Sequence, residues 1–401
     1  MGIAERVLTK ITANQDLLLE PSLCSRFRTP KSGCSQCADV CPSGAISLTA
    51  EGPDVSASCS GCGICFSVCP NDVFSLKKRG DEQILDEIIQ AAKGDRGAGR
   101  EFRISCEHGD STADLLVPCL GRLTEALLIE PVRSGFLRVS LLRPECSICP
   151  NAKASSHIDR TIERASALFD MLNLEGERLA VRSMPLQPLA KRPEKAVTRR
   201  ELFSTFRTRA AEVTAAALPE GCGTSGPIDR TFLEAMGRRA VHSKRGLLLS
   251  QLRAFEPGKE VSVPAEQAML ATIAVSSGCS ACGVCATLCP SGALSQRWEE
   301  KQFILTFLPS LCGNCRICME TCLPKALTIE NTTRLNGLLE DKAKTVFAAE
   351  RKTCPLCRMN FAQPIEDPRG VANVSGLGDT CPHCLEKQKK QMAFINNGLL
   401  K

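Results

Sequence analysis

The chain reads as an α+β multidomain protein. Two short cysteine-rich modules are expected near residues 20–80 and 268–332, with a small α/β unit containing a parallel sheet over 82–183. A basic helical linker follows over 185–265, and a small metal-knuckle tail over 345–390. Three observations predict this. Cysteines recur in four short runs that fall into two pairs. Between the pairs, short strand-like segments alternate with helical spacing. Near the end stand two Cys-x2-Cys knuckles.

The length of 401 residues suits about two to four domains. The 25 cysteines decide the class. Disulfide frameworks of that density belong to short secreted chains. Here the opening stretch carries Glu5 and Asp16 and has no apolar core of signal-peptide length. No segment approaches about 18 consecutive apolar residues, so no membrane span is expected. A cytoplasmic, reducing location with metal-held thiolates is the expectation.

The two runs of the first pair define the first module. One is Cys59-x2-Cys62-x2-Cys65-x3-Cys69-Pro70, and the other is Cys34-x2-Cys37-x3-Cys41-Pro42. Thiolate is a soft ligand suited to iron–sulfur iron. Spacers of two residues let the chain curl round a cubane, and the fourth cysteine of each run reaches the neighbouring cluster. Cys59, Cys62, Cys65 and Cys41 therefore form one expected ligand set. Cys34, Cys37 and Cys69 need a fourth member, and Cys24 is the upstream candidate; closing that short loop costs little entropy. The alternative is a buried free thiol at Cys24, leaving a three-iron site or one open to an outside ligand.

The second pair is more regular. Its runs are Cys279-x2-Cys282-x2-Cys285-x3-Cys289-Pro290 and Cys312-x2-Cys315-x2-Cys318-x3-Cys322, with proline displaced to Pro324. The exchange rule assigns Cys279, Cys282, Cys285 and Cys322 to one site, and Cys312, Cys315, Cys318 and Cys289 to its neighbour. Gly278, Gly283 and Gly313 allow close backbone approach. Short alternating segments follow the runs at Ala45–Leu48, Val73–Leu76, Ala293–Ser295 and Ala326–Ile329 and suit small strands. Both modules resemble bacterial-type 2[4Fe-4S] ferredoxin domains.

The middle unit is expected to place strands at Glu101–Ser105, Asp114–Val117, Phe136–Leu142 and Arg178–Arg182. Helices are expected at Leu123–Ile129 and Ile158–Leu172. Cys106, Cys119 and Cys146 each follow a strand, and Cys149 lies just beyond. In open parallel sheets the carboxyl ends of strands gather ligands, so these thiols should converge. Cys106, Val117-Pro118-Cys119-Leu120-Gly121-Arg122, Cys146-x2-Cys149 and Leu174-Glu175-x-Glu177-Arg178 resemble the delta subunit of methyl-viologen-reducing hydrogenase. The resemblance implies a [2Fe-2S] cluster on Cys106, Cys119, Cys146 and Cys149. It also implies electron traffic between a hydrogenase or formate dehydrogenase and a heterodisulfide-reductase-type flavoprotein. His108, two residues from Cys106, invites a Rieske-like reading, but an ordinary surface histidine is the simpler expectation.

Residues 178–210, from the last strand of the middle unit into the linker, hold nine Lys/Arg against Glu194 and Glu201. A solvated face explains that charge, and docking to an acidic partner is the functional alternative. Sparse aromatic residues argue against nucleic acid. Helices are expected near 197–217 and 229–255, the first presenting Leu202, Phe203, Phe206 and Val213 on one face. Thr198-Arg199-Arg200-Glu201-Leu202-Phe203 evokes a twin-arginine motif, but no apolar stretch follows it. Cys222 is left over and is read as structural.

In the tail, Cys354-x2-Cys357 and Cys381-x2-Cys384 form a metal signal that resembles a zinc ribbon or a rubredoxin. Arg358 and Leu385 stand where rubredoxins carry glycine, which favours structural zinc over redox iron. His383 is a spacer. The basic Lys387–Lys401 suits a mobile helix.

The expected cofactors are four [4Fe-4S] clusters, one [2Fe-2S] cluster and one Zn2+ or rubredoxin-type iron. No Walker loop is present, and the glycine loop Gly94–Gly99 precedes a strand, the wrong context for a dinucleotide phosphate. The residues point to an electron-relay subunit whose catalytic partner is another protein. A free-standing iron–sulfur oxidoreductase, using an incompletely ligated cluster, and a cluster scaffold or maturation protein are the alternatives.

Overall fold

The computed structural model describes residues 10–11, 16–93, 99–174, 176–187, 234, 236–240, 243–255, 262–264, 271–330, 332–339, 341–365 and 380–398. The expected helix at 197–217, the twin-arginine look-alike and Cys222 lie outside these. Within the expected helix 229–255, the described residues include a helix at Ser243–Ala254. The architecture is mixed α/β, with one all-parallel sheet and several small antiparallel ones. No helix among the described residues is long and apolar enough to cross a membrane.

The two cysteine modules share a plan. In the first, Leu17–Leu19 pairs antiparallel with Phe74–Leu76, and the hairpin Ile46–Thr49/Gly52–Val55 lies between the cysteine runs. In the second, Ile273–Val275 pairs with Leu327–Ile329, and Leu294–Glu299 pairs with Gln302–Phe307. An outer strand pair thus draws the ends of each module together and brings its two runs face to face. Cys65, Cys285 and Cys318 each occupy the second position of a five-residue helix, in Ile64–Val68, Val284–Leu288 and Ile317–Thr321. Each of these helices is entered through a left-handed residue, Gly63, Gly283 or Arg316. At Gly63 the demand is double: φ is +75°, and a Cβ would meet Arg122 Cδ.

The parallel sheet runs in the order Leu115–Val117, Glu101–Cys106, Arg138–Pro144, Leu179–Met184. The strand boundaries expected at 136–142 and 178–182 move one or two residues toward the C-terminus. Helices Glu125–Arg133 and Ser155–Met171 alternate with these strands. The helix Asp81–Lys93 had no counterpart in the sequence reading. It buries Ile84, Leu85 and Ile88, residues at helical spacing.

A single apolar core joins the first module to this unit. Ile64 and Val68 from the module, Ile84 and Ile88 from the joining helix, and Phe102, Ile104, Leu127 and Val139 from the unit share it. The helix Ser243–Ala254 then packs Leu248, Leu249 and Leu252 against Ala126, Ile129 and Phe169. At the other end, Leu294–Glu299, Gln302–Phe307, Lys344–Thr353 and Asn360–Pro364 form one four-stranded antiparallel sheet. That sheet links the second module to the tail around Phe303, Leu305, Phe307, Phe347 and Ala349.

Candidate functional site

Six groups of thiols emerge from this frame. In the parallel unit, Cys106 ends its strand, while Cys119 and Cys146 follow the ends of the strands on either side. Burial pushes the Cys106 thiol up, with Cys146 and Cys149 adding repulsion, and main-chain N–H groups of His108 and Leu120 oppose the shift. Burial pushes Cys119 up to about 12, against an N–H from Gly121 and with repulsion from Cys106, Cys62 and Cys146. Asn151 N–H donates to Cys149 Sγ at 3.4 Å. His108 is buried rather than at the surface, and its Nδ1 lies 3.3 Å from Gln187 O. Its ring has a main-chain partner, and its own N–H serves the Cys106 sulfur.

In the first module, the Cys62 thiol is raised by burial, lowered by Ile64 N–H and Ser60, and repelled by Cys41 and Cys59. Cys41, Cys59, Cys62 and Cys65 line a cavity of about 350 Å³ whose wall includes Leu17, Ile46, Val55 and Arg122. Burial raises Cys65 strongly, and its charge neighbours are Cys62, Cys59, Cys37 and Cys69. Burial raises Cys37 as well, and there the neighbours are Cys69, Cys24 and Cys34. Cys24 is buried, accepts from Arg26 and Phe27 N–H, and faces Cys34. The structure thus brings Cys24 to the same group as Cys34, Cys37 and Cys69.

The second module repeats the pattern. Burial lifts Cys285 to about 12, with Cys279, Cys282 and Cys322 as neighbours. Cys315 and Cys318 are likewise raised by burial, and both face Cys312 and Cys289. The N–H two residues ahead serves sulfur again and again: Arg26 for Cys24, Ile64 for Cys62, Asn71 for Cys69, Ala281 for Cys279, Asn314 for Cys312 and Ile317 for Cys315. Left-handed backbone at Ala281 and Asn314, with φ of 53° and 55°, is part of those loops.

In the tail, the ligand atoms of Cys354, Cys357, Cys381 and Cys384 lie within 4.8 Å of one another. Cys381 N–H donates to Cys354 Sγ at 3.4 Å, and main-chain donors from Cys381, Cys357 and Leu356 bring Cys354 down to about 6. Its side-chain hydrogen bond with Cys381 raises Cys384 to about 12. Four thiols at this separation cannot all ionise without a cation between them, so the donor set fits a tetrahedral metal.

The groups also adjoin one another. Cys119 of the parallel unit faces Cys62. Cys65 faces Cys37 and Cys69 across the first module, and Cys318 faces Cys285 across the second. Between the modules, Lys244 Nζ donates to Cys69 O at 2.7 Å, while Arg245 donates to Ser310 O at 2.6 Å and Pro309 O at 2.7 Å, just before Cys312. Arg28 Nη1 reaches Cys289 O at 3.3 Å. Asn71 lines the same cavity as Cys289, Cys312, Cys315 and Cys318.

Sequence reasoning missed these three cations. A signal was present, because Lys244 and Arg245 stand in the first turn of a helix without an acidic residue. Cations there oppose the macrodipole and need another partner.

Residues 30–79 match the family model of the LdpA Fe-S cluster-binding domain. That stretch contains seven of the expected ligands, from Cys34 to Cys69. Comparison with curated proteins gives no match. The matched segment and the grouped thiols make this chain an iron–sulfur protein.

Proposed function

We propose that this chain is an electron-relay subunit that passes single electrons between a catalytic oxidoreductase and another carrier. In this reading Cys24, Cys34, Cys37 and Cys69 hold one [4Fe-4S] cluster, and Cys41, Cys59, Cys62 and Cys65 a second. Cys279, Cys282, Cys285 and Cys322 hold a third, and Cys289, Cys312, Cys315 and Cys318 a fourth. Cys106, Cys119, Cys146 and Cys149 hold a [2Fe-2S] cluster. Such clusters supply one-electron oxidation and reduction when bound. The partner class is a hydrogenase, a formate dehydrogenase or a heterodisulfide-reductase-type flavoprotein, after the resemblance of the parallel unit.

One observation carries the proposal: the five groups adjoin in a single file. Cys119 lies within electrostatic reach of Cys62, Cys65 of Cys37 and Cys69, and Cys318 of Cys285, while the Lys244–Arg245 step links Cys69 to the loop before Cys312. The protein's own part is to desolvate the thiols, to aim N–H donors at sulfur and to fix the groups on packed apolar cores. Buried thiols with raised pKa values stay protonated unless a cationic core claims the sulfur.

The tail site stands off this file. Five residues of strand, roughly 17 Å, separate Phe307 near Cys312 from Gln302, and Cys354 lies beyond Glu350, which pairs with Gln302. That position favours structural zinc over relay iron.

Anaerobic purification with metal and sulfide analysis tests the reading. The expected content is about 18 iron, about 18 acid-labile sulfide and about one zinc per chain, with paramagnetic signals after dithionite. Iron near about four or eight per chain would overturn it. Affinity purification from native extract then identifies the partner.

A further inference from the structure

We infer that Arg28 and Arg245 set the reduction potential of the site at Cys289, Cys312, Cys315 and Cys318, raising it relative to its neighbour at Cys279, Cys282, Cys285 and Cys322. The inference rests on the relay reading and adds an energetic order to it.

Both guanidiniums are buried, at 3% and 7% exposure. Arg28 comes from the first module yet donates to the second, through Nη1 to Leu288 O and Cys289 O at 3.4 and 3.3 Å. Its other donors go to Ser22 O at 2.8 Å, Arg238 O at 2.6 Å and Met236 O at 3.4 Å. Arg245 grips the turn Pro309–Leu311 that leads into Cys312. The donors of Arg28 end on main-chain carbonyls, which are neutral acceptors. Burying a guanidinium is costly unless opposing charge offsets it. Ligand sulfur supplies opposing charge to both: Cys289 and Cys315 act on Arg28, and Cys312 acts on Arg245. Glu20 and Arg239 are the other charged neighbours of Arg28, and Glu20 is itself paired with Arg238 at 2.8 Å. Burial lowers both arginines to about 10, so both remain charged at neutral pH.

The neighbouring group is built differently. Among the described residues, the charges acting on Cys279 and Cys285 are those of other cysteines. Reduction adds one negative charge to a site. A fixed cation beside it favours the reduced state, and low dielectric enlarges that effect. Two sites with the same ligand type should therefore differ in potential, and an electron in the second module should rest at the junction with the first.

The experiment is an anaerobic redox titration of the full chain, followed by electron paramagnetic resonance, with iron and sulfide counted for every sample. Arg28→Gln and Arg245→Gln are compared with Arg28→Lys and Arg245→Lys. A Cys318→Ala variant identifies the component that belongs to this site. The expected result is full iron in the glutamine variants, a downward shift of that one midpoint, and recovery of most of the shift with lysine. Unshifted midpoints in fully loaded glutamine variants overturn the inference, as does a shift confined to another component. Loss of the site's iron in both glutamine variants also overturns it, since the arginines are then clamps for the loops. A wild-type chain without iron or signal sinks the relay reading itself, which keeps the two failures apart.

Discussion

Arg122 and Asp81 form an ion pair at 2.7 Å with both side chains buried, and it joins the parallel unit to the helix leaving the first cysteine module. The pair is well satisfied. Thr124 Oγ1 donates to the other Asp81 oxygen at 3.0 Å, Arg122 Nη2 donates to Arg79 O at 3.1 Å, and the guanidinium lies 4.5 Å from the Phe66 ring centroid. Phe66 sits between Cys65 and Cys69, with Lys244 Nζ 4.7 Å from the same ring. Removing one partner strands a buried charge. Arg122→Ala should therefore cost about 3–5 kcal/mol, while the double variant Arg122→Met/Asp81→Leu should recover much of that. Anaerobic chemical unfolding measures both. A loss below about 1 kcal/mol for Arg122→Ala, the size of an exposed pair, would refute the account. Gly63→Ala should act through the same contact, because its Cβ meets Arg122 at a left-handed φ.

His157 ties the same two units together through Ser67 Oγ at 2.9 Å. Burial lowers its pKa from 6.5 to about 4, with Arg160, Arg164 and Lys244 adding repulsion. The unfolded chain binds a proton here below pH 6.5, while the native chain resists until about pH 4. Stability should thus be full above pH 6.5 and fall as pH drops toward 4, by up to about 3 kcal/mol from this group. His157→Gln should flatten that part of the profile. Melting temperatures at neutral pH and about one to two units lower test this, and equal slopes in both proteins would count against it.

Cys24 is buried beside Cys34 and Cys37. Cys24→Ser should lower the iron content at one site and remove or alter one paramagnetic component, leaving the others intact. Unchanged iron, sulfide and spectrum would return Cys24 to the role of a free buried thiol.

The tail offers an independent test. The helix Pro382–Gly398 starts directly after Cys381, with proline at its first position. Cys357→Ser, or a zinc chelator, should remove about one zinc per chain, lower helix content by circular dichroism and leave the iron count unchanged. Loss of iron in place of zinc would make this a rubredoxin-type site.

Cysteine spacing was legible because a metal site built on a curled loop is local in sequence: Cys59, Cys62 and Cys65 fall within one turn and a short helix. The parallel unit was legible because strand and helix periods differ. The helix Asp81–Lys93 was missed, although Ile84, Leu85 and Ile88 carry its spacing. The sheet joining Gln302–Phe307 to Lys344–Thr353 was also missed, since strand pairing across an intervening segment leaves no local period.

The sequence by itself determined the spacing of the thiols within each run and that soft metal chemistry belongs to this chain. Only the tertiary structure decided the order in which the groups meet, and that Arg28 would reach Cys289 from 261 positions away. The reason is physical. Ligand spacing is set by the reach of a few consecutive residues, whereas the contacts between modules follow from packing apolar faces into shared cores, and no short stretch of sequence records which faces will meet.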